Sequence, residues 1–189
     1  APIAGTVGQE FTAPCHIESK HDASTFDCGK DELNDWLKKT AHKNEGETSR
    51  TYVVCLGDRI VGYYCLAAGS VLRKELPTAK LRRNAPGDIP VIVLGRLAVE
   101  KEFARIGIGS GMLKDAFYRS LKASHEFGIK AIVVHALDDE AVTYYLANSF
   151  LPSGIHPRTL VLPIETLKRA AVEACESDRN DSASEPPLS

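Results

Sequence analysis

The sequence predicts a single mixed α/β domain, on three observations. Its 189 residues, 43% hydrophobic and 25% charged, suffice to bury one self-sufficient core. Short β-branched and aromatic runs alternate with helix-period segments in the order β-β-β-α-β-α-β, behind one N-terminal helix. No internal repeat or heptad run interrupts that order, which argues against a solenoid or a coiled coil.

Each element has its own signal. The opening, APIAGTVGQEFTAP, is unpatterned and is expected to be a flexible segment over residues 1–14. Between residues 30 and 43, Leu33, Trp36, Leu37, Thr40 and Ala41 recur at helical spacing, with Asp31 and Glu32 in the first turn, where the macrodipole favours acids. The other side of this helix carries Lys38, Lys39 and His42, with Lys43 near its edge, and is either a solvated face or a surface for phosphate. Residues 50–56 and 60–68 are rich in β-branched and aromatic types and flank Gly57-Asp58-Arg59, which reads as a β-hairpin. A basic, proline-containing connection over residues 69–90 leads to VIVLGRLAV at 91–99, a near-continuous apolar strand of the buried type in which Gly95 marks a bulge. A glycine-rich turn at 106–111 then opens a helix with Leu113, Ala116, Phe117, Ser120 and Leu121 on one side. Residues 131–136 form another buried strand, 139–148 a helix, 159–162 a short last strand and 164–175 a last helix. From Ser177 the chain is Ser/Pro-rich and almost without large apolar groups. Ordering it would not offset its conformational entropy, so an acidic disordered tail is expected over 177–189 and the domain proper over 15–176.

The formal charge of −2 averages two unlike regions. Glu173, Glu176, Asp178, Asp181 and Glu185 stand against Arg179 alone, a local −4 that leaves +2 for residues 1–172. Five cysteines (Cys15, Cys28, Cys55, Cys65 and Cys175), odd in number and without a Cys-x-x-Cys pair, fit reduced thiols better than a disulfide frame or a zinc knuckle. His16, His21, His125 and His156 have no metal-ligand spacing, and Gly109-Ser110-Gly111 is not a Gly-x-Ser-x-Gly nucleophile elbow. Neither a metal nor a covalent nucleophile is assigned. No apolar run reaches the roughly 20 residues of a membrane helix, and residues 1–11 lack the basic start and apolar stretch of a signal peptide, so a cytoplasmic protein without a membrane partner is expected.

A glycine-rich turn at a helix N-terminus offers unpaired backbone N–H groups and a positive dipole end to an anion, usually phosphate. Two nucleotide motifs fail here. A dinucleotide fingerprint would need glycine where Met112 stands, and the hairpin upstream is wrong for a βαβ unit; a Walker loop would need Gly-Lys-Ser/Thr. Viewed alone, the loop is also readable as a turn that permits close packing of strand and helix.

The residues carry a resemblance. VEKEFARIGIGSGML at 99–113, after LGRLAV, resembles the acetyl-CoA pyrophosphate loop of the GNAT N-acetyltransferases, whose pattern is Gln/Arg-x-x-Gly-x-Gly/Ala. ALDDEAVTYYLANSF at 136–150 resembles that family's last conserved helix, ending in Phe-Tyr-x-x-x-Gly-Phe, with Tyr145 on the tyrosine position. Phe26-Asp27-Cys28-Gly29, the first helix, Ser49-Arg50-Thr51, Gly62-Tyr63-Tyr64 and Gly95-Arg96-Leu97-Ala98-Val99 extend the resemblance to the toxin branch found in toxin–antitoxin operons, over about residues 26–170. Ala104 departs from the usual Gln or Arg, with Arg105 one place later, and Ser149 replaces the usual glycine before Phe150. The resemblance implies the GNAT (acyl-CoA N-acyltransferase) fold, a central mixed, mostly antiparallel sheet flanked by helices, with acetyl-CoA as co-substrate. It implies cofactor contacts from Leu97, Ala98 and Val99 to the pantetheine and thioester. Backbone amides of Arg105, Ile106, Gly107, Ile108, Gly109 and Ser110 would meet the pyrophosphate.

Acyl transfer to an amine needs a neutral amine, an oriented carbonyl and a proton for the departing thiolate. Tyr145, placed at the sulfur by the resemblance, would supply that proton: a phenol of pKa about 10 stays protonated at neutral pH beside a thiol of pKa about 8.5. On the residues alone, a core aromatic is the other reading of Tyr145, since Tyr144 is adjacent and one of the two must face inward. No compelling base is visible, because Glu100 and Glu102 read equally as solvated loop acids and His135 as structural. That favours an α-amine, neutral to roughly 14% at pH 7, over a lysine amine, neutral to roughly 0.04%. The toxin branch implies aminoacyl-tRNA, whose acetylated amino group can no longer form a peptide bond. Candidates to meet its phosphates are Lys38, Lys39, His42 and Lys43, then Arg73, Lys74, Lys80, Arg82 and Arg83, and Arg96 beside the site, with ordinary surface charge as the alternative. The resemblance also implies a cognate antitoxin with a ribbon-helix-helix part, operator DNA met only through that antitoxin, and a homodimer. Two rival functions are a GNAT enzyme for a protein amine or small polyamine, and a non-enzymatic module that binds an antitoxin or operator complex.

Overall fold

The strands are β1 (Cys15–His16), β2 (Arg50–Leu56), β3 (Arg59–Leu72), β4 (Asp88–Val99), β5 (Ala131–His135), β6 (Leu151–Pro152) and β7 (Thr159–Pro163) in the computed structural model, which describes residues 10–154 and 156–182. They form one sheet of order β1-β2-β3-β4-β5-β7-β6, antiparallel throughout except between β4 and β5. Helices α1 (Asp31–Lys39), α2 (Ala41–Asn44), α3 (Ala79–Arg82), α4 (Ile108–Glu126), α5 (Asp139–Ala147) and α6 (Ile164–Ser182) flank it. The mixed, mostly antiparallel sheet between helices is the fold expected.

Several boundaries move for identifiable reasons. The first helix is broken at Thr40, whose φ of −122° leaves helical space while its N–H still closes α1 on the Trp36 carbonyl at 2.9 Å. The hairpin turn tightens to Gly57-Asp58, because Arg59 already pairs with Leu56. The long connection loses both ends to the sheet: β3 runs on to Leu72 opposite Asp88, where β4 begins. Strands β1 and β6, two residues each, are too short to show an alternation and were invisible in the pattern. Helix α6 continues beyond Cys175 to Ser182, into the stretch read as a tail; residues 183–189 lie outside the described chain. Of the opening segment, residues 1–9 also lie outside it, while Thr12 exchanges two 2.9 Å hydrogen bonds with Cys55 on β2.

Both sheet faces are covered. On one face, Met112, Leu113 and Ala116 of α4, Tyr145 of α5 and Ile164 of α6 bury against Tyr64, Leu94, Ile132 and Leu162. On the other, Leu37 and Ala41 pack on Val53, Ile60, Tyr63 and Ala98, and Leu81 of α3 packs on Ile89, Val91 and Val133. Helices α1 and α3 therefore sit on the face opposite α4. Burial of apolar side chains on both faces supplies the main driving force, at about 25 cal/mol per Å².

One break in regularity positions everything that follows. Between β3 and β4 the register jumps from Cys65 opposite Arg96 to Leu66 opposite Leu94, so Gly95 is the extra residue of a bulge, as the sequence suggested. A Cβ at that glycine would lie 3.0 Å from the Cys65 Sγ, which accounts for the absence of a side chain. At the same place β5 stops following β4: their parallel pairing covers residues 91–94 against 131–134 and no further. Residues 95–99 of β4 thus keep β3 on one edge and have no strand on the other among the described residues.

Candidate active site

A cavity of about 380 Å³ opens where β4 and β5 part, between the free edge of β4, the turn before α4 and the inner side of α5. Of the predicted cofactor residues, Leu97, Ala98, Val99, Arg105, Gly107, Gly109 and Ser110 line it. Ile106 and Ile108 do not: their side chains turn to a separate hollow beside Phe11 and Met112, so from these two only the backbone can face a ligand here.

Local backbone chemistry makes the turn. Arg105 and Gly107 hold positive φ values of 62° and 97°, and Gly107 serves as the N-cap of α4 without any side-chain cap. The first acceptor bond of that helix runs from Gly111 N–H to the Gly107 carbonyl at 2.9 Å. The N–H groups of Ile106 to Ser110 thus find no acceptor among the described residues, and α4, 19 residues long, ends its dipole on them. Two ion pairs brace the segment between β4 and this turn: Lys101 with Asp27, and Arg59 with Glu100. The Lys101 ammonium, then the Gly29 and Asn34 donors, hold the Asp27 carboxyl at about 2.

Helix α5 brings the tyrosines. Asp138 caps it, its carboxylate accepting the Ala141 N–H at 2.9 Å, and Ser149 leaves it with φ 71°, the left-handed value that explains the family's glycine there. Tyr145 is buried, its ring edge-on to Phe150 at 5.2 Å, and it is at once a core aromatic and part of the cavity wall. Burial pushes its hydroxyl pKa well up, with smaller contributions from Tyr144 and Cys65, so the phenol is protonated across the neutral range. Tyr144 lines the same cavity from the adjacent position.

Lys30 had no signal in the sequence. Its ammonium sits 2.6 Å from Asp138 and 3.7 Å from Glu140, tying the entry of α1 to the N-terminus of α5 at the cavity wall. The pairing raises the lysine pKa and lowers that of Asp138. Its partner is 108 residues away, a distance that no local pattern spans.

The acids after β4 divide. Glu100 is buried and bound to Arg59, which corrects its reading as a solvated loop acid, whereas Glu102 is exposed and meets the same arginine at 2.9 Å. His135 is exposed, with Nδ1 3.0 Å from the Thr159 hydroxyl. Among the described residues no group of three His, Cys, Asp or Glu is arranged to hold a metal ion, and no helix is long and apolar enough to cross a membrane.

The basic candidates lie outside the cavity. Lys38 and Lys39 are exposed on the last turn of α1, with Lys39 2.8 Å from Asp35. Arg96 of β4 joins them through Trp36: its guanidinium lies 4.6 Å over the indole, which stacks in turn on Tyr63 at 5.7 Å. Arg82 and Arg83 belong to the α3 region, over the other half of the same sheet face, with Arg82 Nε donating to the Thr78 carbonyl at 3.3 Å and Arg83 exposed.

No family model matches the sequence. It is, however, 40% identical over 153 residues to the tRNA-acetylating toxin of Mycobacterium tuberculosis (strain ATCC 25618 / H37Rv), covering 80% of this chain and 92% of that protein. Among solved structures, AtaT complexed with acetyl-methionyl-tRNAfMet superposes with a TM-score of 0.79 at 26% identity, over 85% of this chain and 99% of that one. A tyrosine-to-phenylalanine mutant of the AtaT toxin, bound to the C-terminus of the antitoxin AtaR and acetyl-CoA, superposes with a TM-score of 0.72 at 25% identity, over 85% and 97%.

Proposed function

The chain belongs to the tRNA-acetylating toxins, a branch of the GNAT acetyltransferases, and on that footing we propose that it transfers acetyl from acetyl-CoA to the α-amino group of an aminoacyl-tRNA, blocking translation. The observation that carries the reading is the meeting of three features in one cavity: the free edge of β4, the unpaired amides before α4 and the protonated Tyr145.

The donor set fits acetyl-CoA. Five successive amides at a helix N-terminus suit a pyrophosphate, and a strand edge without a partner suits the amides of a pantetheine arm. Ala104 removes the side-chain donor usual in the family, while Arg105 lines the cavity one residue on. Bound there, acetyl-CoA supplies a thioester carbonyl open to attack by an amine. Leu97, Ala98 and Val99 orient it along the β4 edge. The Tyr145 hydroxyl is the general acid, giving its proton to the sulfur as the C–S bond breaks and the new C–N bond forms; the amine releases its proton to solvent and the phenolate takes one back from it. No carboxylate of the cavity has to act as base, since an α-amine is neutral in sufficient fraction at pH 7.

The proposed partners are aminoacyl-tRNA and a cognate antitoxin, supported by the complexes of the related AtaT. Lys38, Lys39, Arg82, Arg83 and Arg96 are the residues proposed to meet tRNA phosphate. In finer detail the antitoxin is of ribbon-helix-helix type and carries the contact with operator DNA, the toxin is a homodimer, and the site of action is the cytoplasm, where charged tRNA is found. The test is transfer of labelled acetyl from acetyl-CoA to charged tRNA, with uncharged tRNA as control. Label on charged tRNA alone is expected, and label transferred to protein or polyamine but not to charged tRNA would overturn the substrate assignment.

A further inference from the structure

Tyr144 and Tyr145 are neighbours on α5 but point apart. Their rings meet edge to face, 71° between planes and 5.4 Å between centroids. Tyr145 turns into the core against Phe150, whereas Tyr144 is half-buried and turns its hydroxyl to the first turn of α4. A Cβ built on Gly109 would lie 3.8 Å from that oxygen, and the Ser110 side chain is its polar neighbour. The oxygen is shut off from water, yet no group among the described residues meets it with hydrogen-bond geometry. A buried hydroxyl without a partner is destabilising, and a phenylalanine would fill the same space without that cost. The Tyr144 oxygen stands beside Gly109 and Ser110 in the first turn of α4, whose amides find no acceptor among the described residues.

We propose that the Tyr144 hydroxyl leaves its buried position to donate a hydrogen bond to a phosphate oxygen of the acetyl-CoA pyrophosphate, completing from the α5 side the donor set that the α4 amides begin. This rests on the reading of the cavity as the acetyl-CoA site. A neutral donor meeting an anionic acceptor makes one of the stronger hydrogen bonds, and here it also gives the orphaned oxygen its partner. The role is binding, separate from the proton delivery assigned to Tyr145.

The test compares the full-length wild type with Tyr144→Phe in three measurements: affinity for acetyl-CoA, affinity for S-acetylpantetheine, which lacks the pyrophosphate, and thermal unfolding without ligand. Acetyl-CoA is expected to bind the variant roughly tenfold more weakly. S-acetylpantetheine is expected to bind both proteins alike, and the ligand-free variant to melt no lower than wild type. Unchanged acetyl-CoA affinity would overturn the proposal. So would equal losses for the two ligands, which would put the hydroxyl on the pantetheine arm. A lower melting point with unchanged affinity would make it a structural partner of Ser110 and overturn it too. Failure of the wild type itself to bind acetyl-CoA is a separate result, which overturns the cavity reading and this assignment with it.

Discussion

The cavity and the basic face are both proposed to meet phosphate, but with different materials. In the cavity the donors are backbone amides of residues 106–110, fixed by the left-handed turn at Gly107 and by the first turn of a 19-residue helix. On the basic face they are the long side chains of Lys38, Lys39, Arg82, Arg83 and Arg96, carried by three separate elements. Backbone donors are held in place before the ligand arrives and lose little entropy on binding it. Lysine and arginine side chains must be ordered at that moment, by up to about 2 kcal/mol each. A small anion of fixed shape suits the first arrangement, and a polyanion met at many points suits the second. Arg96 is the exception that joins them, since its stack on Trp36 restrains it beforehand.

The comparison can be broken or sharpened by substitution. The largest expected effect is that of Tyr145→Phe, which keeps the ring contact with Phe150 and removes the acid. Transfer to charged tRNA should fall by about 10²- to 10⁴-fold in single-turnover kinetics while acetyl-CoA still binds; unimpaired transfer would remove Tyr145 from the mechanism. Next comes the basic face. Arg82→Gln with Arg83→Gln should weaken charged-tRNA binding roughly tenfold and flatten its log–log salt dependence by about 1.5 units, with acetyl-CoA titrations unaffected. A loss of acetyl-CoA affinity in that variant would mean the two regions are not separate.

On the cavity side, Gly107→Ala isolates backbone geometry, because nothing lies within 4 Å of the added methyl group while φ stays at 97°. The strain, about 1 kcal/mol, should weaken acetyl-CoA binding roughly fivefold in calorimetry and leave the salt dependence of tRNA binding as it was. The smallest effect belongs to the tie between α1 and α5. Lys30→Met should lower unfolding stability at pH 7 by under about 1 kcal/mol, since both partners are partly exposed. Asp138 has a lowered pKa, so the contribution is present above about pH 4 and lost as the pH falls through that lowered value. The raised pKa of Lys30 means that it is lost again as the pH rises beyond about 10. Denaturant titrations from pH 7 downward check this: the gap between variant and wild type should narrow as the pH falls below about 4.

How far each region was legible follows from the same difference. The amide turn could be read at Gly107-Ile108-Gly109 because the conformation of a few consecutive residues is a local property. Tyr145 could be placed only through the pattern around it, because helical spacing alone does not say which of two adjacent tyrosines faces the core. Glu100 was misread because its arginine partner lies 41 residues earlier on β3. The break at Thr40 was missed because an amphipathic period continues across it: Ala41 is buried just as Leu37 is.

The sequence by itself determined the hairpin at Gly57, the extended apolar run VIVLGRLAV and the amide turn. All of these depend on contacts within a few residues, where sterics and hydrogen bonding act without help from the rest of the chain. Only the tertiary structure decided where those pieces meet. The parting of β4 from β5 after Leu94, the turning of Tyr144 toward Gly109 and the reach of Lys30 to Asp138 all follow from the order of strands in the sheet. That order is fixed by burying both faces at once, a condition that no local segment can satisfy alone.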